Sequence, residues 1–144
     1  MAVTQSRRIL VAVNNWSVRQ LVSHVLQSSD WDLIYCTSVA EAKQLLHQHC
    51  DLIFCTLQFD GSRMFDLLQY AKADSQIKPV PFMALKITDS VLPESTVKAI
   101  MKTARLSGAD ACVNLAQWRK QLGDEPAYEK LRNTIRQLLV IHPA

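Results

Sequence analysis

The sequence predicts an α/β protein whose parallel sheet is covered by helices on both faces. Short apolar segments without polar alternation recur five times, as expected for strands that are buried on both sides. Amphipathic segments of helical spacing separate them, which is typical of β-α units. Because crossover connections between parallel strands are right-handed, these units are expected to form a doubly wound sandwich.

Most predicted elements begin or end at a recognisable signal. Ser17 is the expected N-cap of the first helix, and Ser38 with Glu41 forms a capping box before the second. Gly108 follows the fourth helix, and Asp124 is the expected cap of the last one. The predicted strands are 8–13, 32–36, 51–56, 81–85 and 111–113, and the third helix is 63–72, after a turn at 60–62. The result is a flavodoxin-like fold with the strand order 2-1-3-4-5.

The composition indicates one domain of ordinary size. The chain has 144 residues, of which 49% are hydrophobic and 20% charged, with a formal net charge of +3. We therefore expect a single domain over residues 1–144, with its core at about 8–140. The apolar runs are too short for a membrane span or a secretory signal, so a cytoplasmic location is predicted.

The cysteines and the first loop exclude several chemistries. The four cysteines have neither a CxxC pair nor zinc-ligand spacing, so they are predicted to be reduced hydrophobic side chains. The loop after the first strand contains no glycine, and the backbone there is not expected to approach a phosphate of a nucleotide or a flavin mononucleotide. In a doubly wound sheet a site instead lies at the carboxyl ends of the strands.

The ordered segments ILVAVNN, DLIFCTLQFDG, PFMALK and GADACVNL resemble the receiver domain of two-component response regulators, over roughly residues 8–139. That resemblance implies a phospho-acceptor aspartate at the end of strand 3 and an acidic pair after strand 1 that holds Mg²⁺. It also implies a serine or threonine at the end of strand 4, a lysine at the end of strand 5, and an aromatic switch residue on strand 5.

Each of these positions departs from the receiver pattern. Thr56 stands at the acceptor position, and the acidic pair falls on Val13 and Asn14 or on Asn14 and Asn15. Lys86 stands where the resemblance implies a serine or threonine, Leu115 where it implies the lysine, and Cys112 where it implies the aromatic switch residue. Mg²⁺ prefers carboxylate oxygens, and Lys86 adds a positive charge at the same edge. We therefore expect a pseudo-receiver that has no catalytic residues, binds no metal or other cofactor, and is not an enzyme.

Basic residues mark a face for partner binding. Lys98, Lys102 and Arg105 share one stripe of the fourth predicted helix, and Trp118 and Arg119 follow strand 5. In receivers the face formed by helix 4, strand 5 and helix 5 binds partners and forms dimers. The resemblance therefore implies a protein partner, such as a histidine kinase or an output protein, or a homodimer. An ordinary solvated face is the alternative, and the absence of a helix-turn-helix disfavours nucleic acid.

The predicted function is that of a non-phosphorylatable pseudo-receiver, which acts in two-component-type signal transduction through protein–protein interaction. Two alternatives stay open. One is a phosphorelay response regulator that uses a non-standard acceptor such as Asp60. The other is a sensor that takes an anion or another small ligand into the pocket that the missing chemistry leaves vacant, where Lys86 would attract a negative charge.

Overall fold

The sheet has the predicted topology. The computed structural model describes residues 6–27, 30–88 and 92–141. Its strands are β1 (Arg7–Ala12), β2 (Trp31–Cys36), β3 (Leu52–Thr56), β4 (Phe82–Lys86) and β5 (Ala111–Asn114). They pair in parallel in the order β2-β1-β3-β4-β5, which confirms the doubly wound, flavodoxin-like arrangement.

Helices connect the strands and cover both faces of the sheet. They are α1 (Trp16–Leu26), α2 (Val39–Leu46), the single turn α3 (Phe59–Ser62), α4 (Met64–Ala73), α5 (Glu94–Leu106), α6 (Leu115–Leu122) and α7 (Asp124–Ile141). Within the described ranges, no helix combines the length and the apolar character that crossing a membrane requires.

The core consists of two hydrophobic clusters, one on each face of the sheet. Successive strand residues contribute to opposite clusters, as the two-residue period of a strand requires. In β1, for example, Ile9 and Val11 pack with α1 and α7, whereas Leu10 and Ala12 pack with α2 and α4. Because both faces of each central strand are buried, polar alternation is not expected there, and this explains why the apolar runs predicted the strands correctly.

The cap of α1 differs from the prediction. Asn15, not Ser17, is the N-cap: its backbone is extended, and its Oδ1 accepts a hydrogen bond of 3.1 Å from the N–H of Val18. Ser17 lies two residues beyond the cap and belongs to the helix itself. The capping box of α2 is confirmed, since Ser38 Oγ accepts the N–H of Glu41 at 3.1 Å, while Glu41 accepts the N–H of Thr37 at 2.9 Å.

Helix α6 lies outside the predicted elements. The segment after β5 begins a helix at once, because Asn114 Oδ1 accepts the N–H of Gln117 at 3.0 Å and so caps it. Gly123, with a positive φ of 87°, ends α6, and α7 begins at Asp124. This helix adds to the face that β5 shares with α5, on which the predicted partner surface lies.

The amino end of the sheet holds a buried carboxylate. Asp51 precedes β3 and is 5% exposed. Its Oδ2 accepts the N–H of Arg8 at 2.7 Å, and its Oδ1 lies 2.9 Å from Nε2 of His49 and 3.5 Å from Nε of Arg7. The charge of this carboxylate is therefore compensated by neighbouring donors on two segments of the chain.

Candidate functional site

A cavity of about 200 Å³ opens at the carboxyl ends of β1, β3 and β4. Residues of three loops and of α1 line it, and they include five of the six positions predicted for the vestigial pocket. The lining residues are Val13, Asn14, Asn15, Val18, Thr56, Leu57, Gln58, Leu85, Lys86, Ile87, Thr88 and Leu92. None of these described residues carries a carboxylate, so the described part of the lining is neutral or positive.

Thr56 ends β3 at the mouth of this cavity. Its Oγ1 donates a hydrogen bond of 3.4 Å to the carbonyl of Ala12 on the neighbouring strand, and it pairs with Leu85 across the sheet. The side chain is half-buried. A hydroxyl at this position cannot form the acyl phosphate that a carboxylate forms, so Thr56 offers the site only a weak donor and acceptor.

Two of the residues after β1 have side chains engaged in core packing and helix capping. Val13 is buried in the cluster beneath the cavity, and its N–H donates to the carbonyl of Cys36 at 3.3 Å. The Oδ1 of Asn15 is engaged as the N-cap of α1. An apolar side chain and a neutral amide therefore occupy two of the three positions at which the sequence suggested an acidic pair.

Asn14 joins three loops, a role that the sequence did not reveal. Its amide nitrogen donates to the carbonyl of Thr37 before α2, and its Oδ1 accepts the N–H of Asp60 after β3. These partners lie far away along the chain, and no periodic pattern connects them. We call this set of contacts among Asn14, Thr37 and Asp60 the Asn14 clasp.

Asp60 is held in a left-handed turn. Asp60, Gly61 and Ser62 all have positive φ, at 49°, 64° and 67°, a conformation that costs little for glycine and more for the other two. The carboxylate of Asp60 accepts the N–H of Val39 at 2.9 Å and lies 3.5 Å from Nη1 of Arg63. One of its oxygens, Oδ2, thus contacts both the start of α2 and a neighbouring cation.

Lys86 ends β4 opposite Asn114 and is half-buried. Two other lysines pair with carboxylates: Nζ of Lys72 lies 3.0 Å from Asp110, and Nζ of Lys98 lies 3.7 Å from Glu94. In the described ranges, no carboxylate forms such a pair with Lys86. Its ammonium therefore contributes to the cavity lining a positive charge that the described residues do not compensate.

The two remaining predicted positions lie in the interior on either side of the sheet. Leu115, at the lysine position, is buried in the cluster with α1 and α7 and so offers no donor. Cys112, at the switch position, is half-buried, and its Sγ donates to the carbonyl of Met101 at 3.4 Å. Burial raises the pKa of the Cys112 thiol, partly offset by Arg105, so this side chain is a neutral thiol at pH 7.

A second, more open groove of about 630 Å³ separates α5 from α6 above β5. Four of the five residues predicted for partner docking line it, namely Lys98, Lys102, Arg105 and Trp118. Its other lining side chains are four apolar ones, including Leu106, which is 78% exposed, together with Asn114, Gln117 and the Glu94 that pairs with Lys98. Arg119 lies outside this groove, where its Nε is 3.0 Å from Asp124. We call this surface the basic groove.

Comparison with known proteins identifies the fold. The sequence matches no protein-family model and no curated protein. Among solved structures, a phosphorylated cyanobacterial phytochrome response regulator, RcpA, superposes with a TM-score of 0.72 at 14% identity, covering 93% of this chain and 94% of its own. The receiver domain of an HD domain-containing protein from Pseudomonas fluorescens Pf-5 gives 0.71 at 17% identity, covering 99% and 93%.

The chemotaxis response regulator CheY4 of Vibrio cholerae gives a TM-score of 0.66 at 23% identity and covers 94% of this chain and 100% of its own. These structural neighbours are receiver domains of response regulators, and the fold of this chain is theirs. At such low identity the likeness concerns the fold alone. What the site does therefore has to be argued from its own residues.

Proposed function

We propose that this chain is a pseudo-receiver, a non-enzymatic signalling module that works through protein–protein contact and not through phosphorylation. One observation carries the proposal: the cavity where a receiver holds its acceptor is lined by Thr56, two asparagines and Lys86, with no carboxylate among its described lining residues. None of the described lining residues therefore has the group that forms an acyl phosphate. The receiver fold of its neighbours supports a role in two-component-type signalling.

The donor set of the cavity also does not fit Mg²⁺. This ion requires near-octahedral oxygen coordination with one or two carboxylates, and the polar lining residues are amides, hydroxyls and an ammonium. In addition, no group of three or more metal-ligating side chains occurs in the residues that the structure describes. We derive no step through a metal, and we propose that the module has no cofactor.

The switch that couples phosphorylation to partner binding in receivers has no counterpart in these residues. A hydroxyl at the end of strand 4 and an aromatic ring on strand 5 are replaced by Lys86 and by the half-buried thiol of Cys112. The Asn14 clasp instead ties the loops after β1, β2 and β3 together by hydrogen bonds that need no ligand. We therefore infer one resting conformation that does not depend on phosphate.

The basic groove is the surface that we propose for partner docking. It combines three cations of α5, of which Lys98 pairs with Glu94, with apolar side chains. Nζ of Lys130 lies 4.3 Å from the ring centroid of Trp118, which stabilises that ring at the edge. A surface of this kind suits an acidic partner with apolar anchors. A histidine kinase, an output protein or a second copy of this chain are the candidates.

Phosphorylation is tested directly by incubating the protein with acetyl phosphate and Mg²⁺ and measuring its intact mass. We expect no phosphoryl adduct. The matched variant Asp60→Asn addresses the alternative acceptor: an adduct that forms on the wild type and is absent from this variant would establish Asp60 as the acceptor and refute the proposal. The engagement of the Asp60 carboxylate by Val39 and Arg63 argues against that outcome.

Docking is tested by charge reversal in the basic groove. The double variant Lys102→Glu/Arg105→Glu is expected to lose a partner that wild-type protein captures from its source cells, or to lose self-association in sedimentation. Lys78→Glu, on an exposed turn, is the control with a reversal of the same kind. Equal capture and equal sedimentation of wild type and double variant would exclude this surface.

A further inference from the structure

The cavity at the strand ends has a charge that the described protein residues do not balance. Lys86 is half-buried and lines the cavity, where solvent screening is weaker than at an exposed site. Among the described residues none brings an acidic oxygen to its ammonium, in contrast to Lys72, which Asp110 contacts at 3.0 Å. A shielded cation without a protein counter-charge attracts a negatively charged ligand.

The size of the cavity limits what that ligand is. A volume of about 200 Å³ is below the range typical of sites for drug-sized ligands and equals the space of roughly seven water molecules. A nucleotide does not fit into this volume, whereas an anion of a few heavy atoms does. The cavity therefore suits a small molecule and not a large cofactor.

The lining indicates the chemical class of the ligand. The hydroxyl of Thr88 and the amide of Gln58 can donate to oxygens beside the lysine, whereas the hydroxyl of Thr56 already donates to the carbonyl of Ala12. If a fully hydrated anion occupied the cavity, the apolar lining side chains, which include Val18 and Leu92, would stay in contact with water. One positive charge together with apolar surface matches one carboxylate with a short hydrocarbon tail better than it matches a phosphate dianion.

We propose that this cavity is a binding site for a small organic monocarboxylate, with Lys86 as the counter-charge. The inference rests on the proposed function, because a phosphoryl group and its metal would compete for the same space. Binding at this place would fix the loops after β3 and β4 against α1, since all three segments contribute lining residues. Occupancy by a metabolite would then take the place of phosphorylation as the signal.

The test titrates the full chain with sodium butyrate and follows the amide resonances by NMR and the melting temperature. Sodium phosphate and sodium chloride at matched ionic strength separate a carboxylate site from a phosphate site and from general salt effects. We expect saturable shifts of the Asn15 and Thr88 amides with butyrate, and a melting temperature that rises with its concentration. Chloride should produce neither effect.

Variants then assign the charge. Lys86→Gln is expected to weaken butyrate binding about tenfold or more, since it removes a charge-assisted hydrogen bond. Lys86→Arg keeps the charge and should retain most of the affinity, while Lys78→Gln, on an exposed turn outside both the cavity and the basic groove, removes an equal charge and should change nothing. Should Lys86→Gln fail to fold, the positions of the shifted wild-type amides still locate the site.

The proposal is overturned if butyrate gives no saturable shift in the wild type, if phosphate binds and butyrate does not, or if Lys86→Gln and Lys78→Gln bind alike. The proposed function fails separately, through a phosphoryl adduct in the mass measurement. A protein without an adduct and without butyrate binding would remain a pseudo-receiver and would lose only this ligand site.

Discussion

The two ends of the sheet differ in whether a charged side chain shielded from solvent has a counter-charge among the described residues. At the amino end, the buried carboxylate of Asp51 has the N–H of Arg8 at 2.7 Å and the side chains of His49 and Arg7 within 3.5 Å. At the carboxyl end, Lys86 lines a cavity, and no described residue pairs with it as a counter-ion. A compensated buried charge belongs to the framework, whereas an uncompensated one at a cavity indicates a site. This difference predicts where substitutions damage stability and where they damage function.

Removal of the Asp51 carboxylate should have the largest effect on stability. Asp51→Ala removes the acceptor of the Arg8 N–H and the negative charge beside Arg7, and we expect a loss of about 2–3 kcal/mol in the free energy of unfolding. Urea denaturation measures it. The control is Asp32→Ala, an exposed carboxylate 4.0 Å from Arg8, which should cost below about 1 kcal/mol. Equal losses would remove the contrast between the two ends.

Disruption of the Asn14 clasp should come next. Asn14→Ala leaves the Asp60 N–H and the Thr37 carbonyl without this partner, for an expected loss of about 1–2 kcal/mol. Hydrogen exchange should accelerate at the amides of Asp60 and Val39. The matched control Asn133→Ala removes an asparagine whose contact is with Arg136 on the surface of α7, and should leave both amides unchanged. Unaltered exchange in Asn14→Ala would show that the clasp does not hold the loops.

The cap of α1 provides a smaller and sharper comparison. Asn15→Ala should cost about 1 kcal/mol, because the N–H of Val18 loses its acceptor, whereas Ser17→Ala should change the free energy of unfolding by a few tenths of a kcal/mol. Thermal denaturation of the two variants side by side distinguishes them. A greater loss in Ser17→Ala would restore the cap that the sequence predicted.

The smallest effect concerns a thiol beneath the carboxyl edge. Burial, with contributions from Glu41 and Cys50, raises the pKa of Cys36 from 9.0 to about 12. A raised pKa in the folded state means that the stabilisation by Cys36 is present below pH 9 and is lost as the pH rises toward 12. Wild-type protein under reducing conditions should therefore lose about 0.4 kcal/mol more than Cys36→Ala between pH 7 and pH 9. Parallel pH curves for the two proteins would contradict the shift.

The fold could be predicted from the sequence because burial on both faces leaves a local signal. The apolar runs through Val11, Phe54 and Ala84 are continuous. The hydrophobic period and the length of these runs together distinguish them from helices. The position of Gly108 at the end of a helix could also be predicted from a local signal, since its φ of 110° favours a residue without a side chain.

The site could be predicted only in part. Residues at the strand ends, such as Thr56 and Lys86, follow from topology alone. The Asn14 clasp could not be predicted, because its contacts span 23 and 46 positions and depend on loop conformations that no period specifies. The cap of α1 was predicted at Ser17 and lies at Asn15 for a different reason: both residue types make good caps, and only the backbone geometry decides between them.

The positions of the three tryptophans have a practical consequence. Trp16 opens α1 directly after the cavity residue Asn15 and is 72% exposed, Trp118 lines the basic groove, and Trp31 is packed in the core. Each region discussed above thus has its own native fluorophore. Single-tryptophan variants would report separately on ligand entry at the strand ends, on partner contact at the groove, and on global unfolding, all by intrinsic emission from an unlabelled chain.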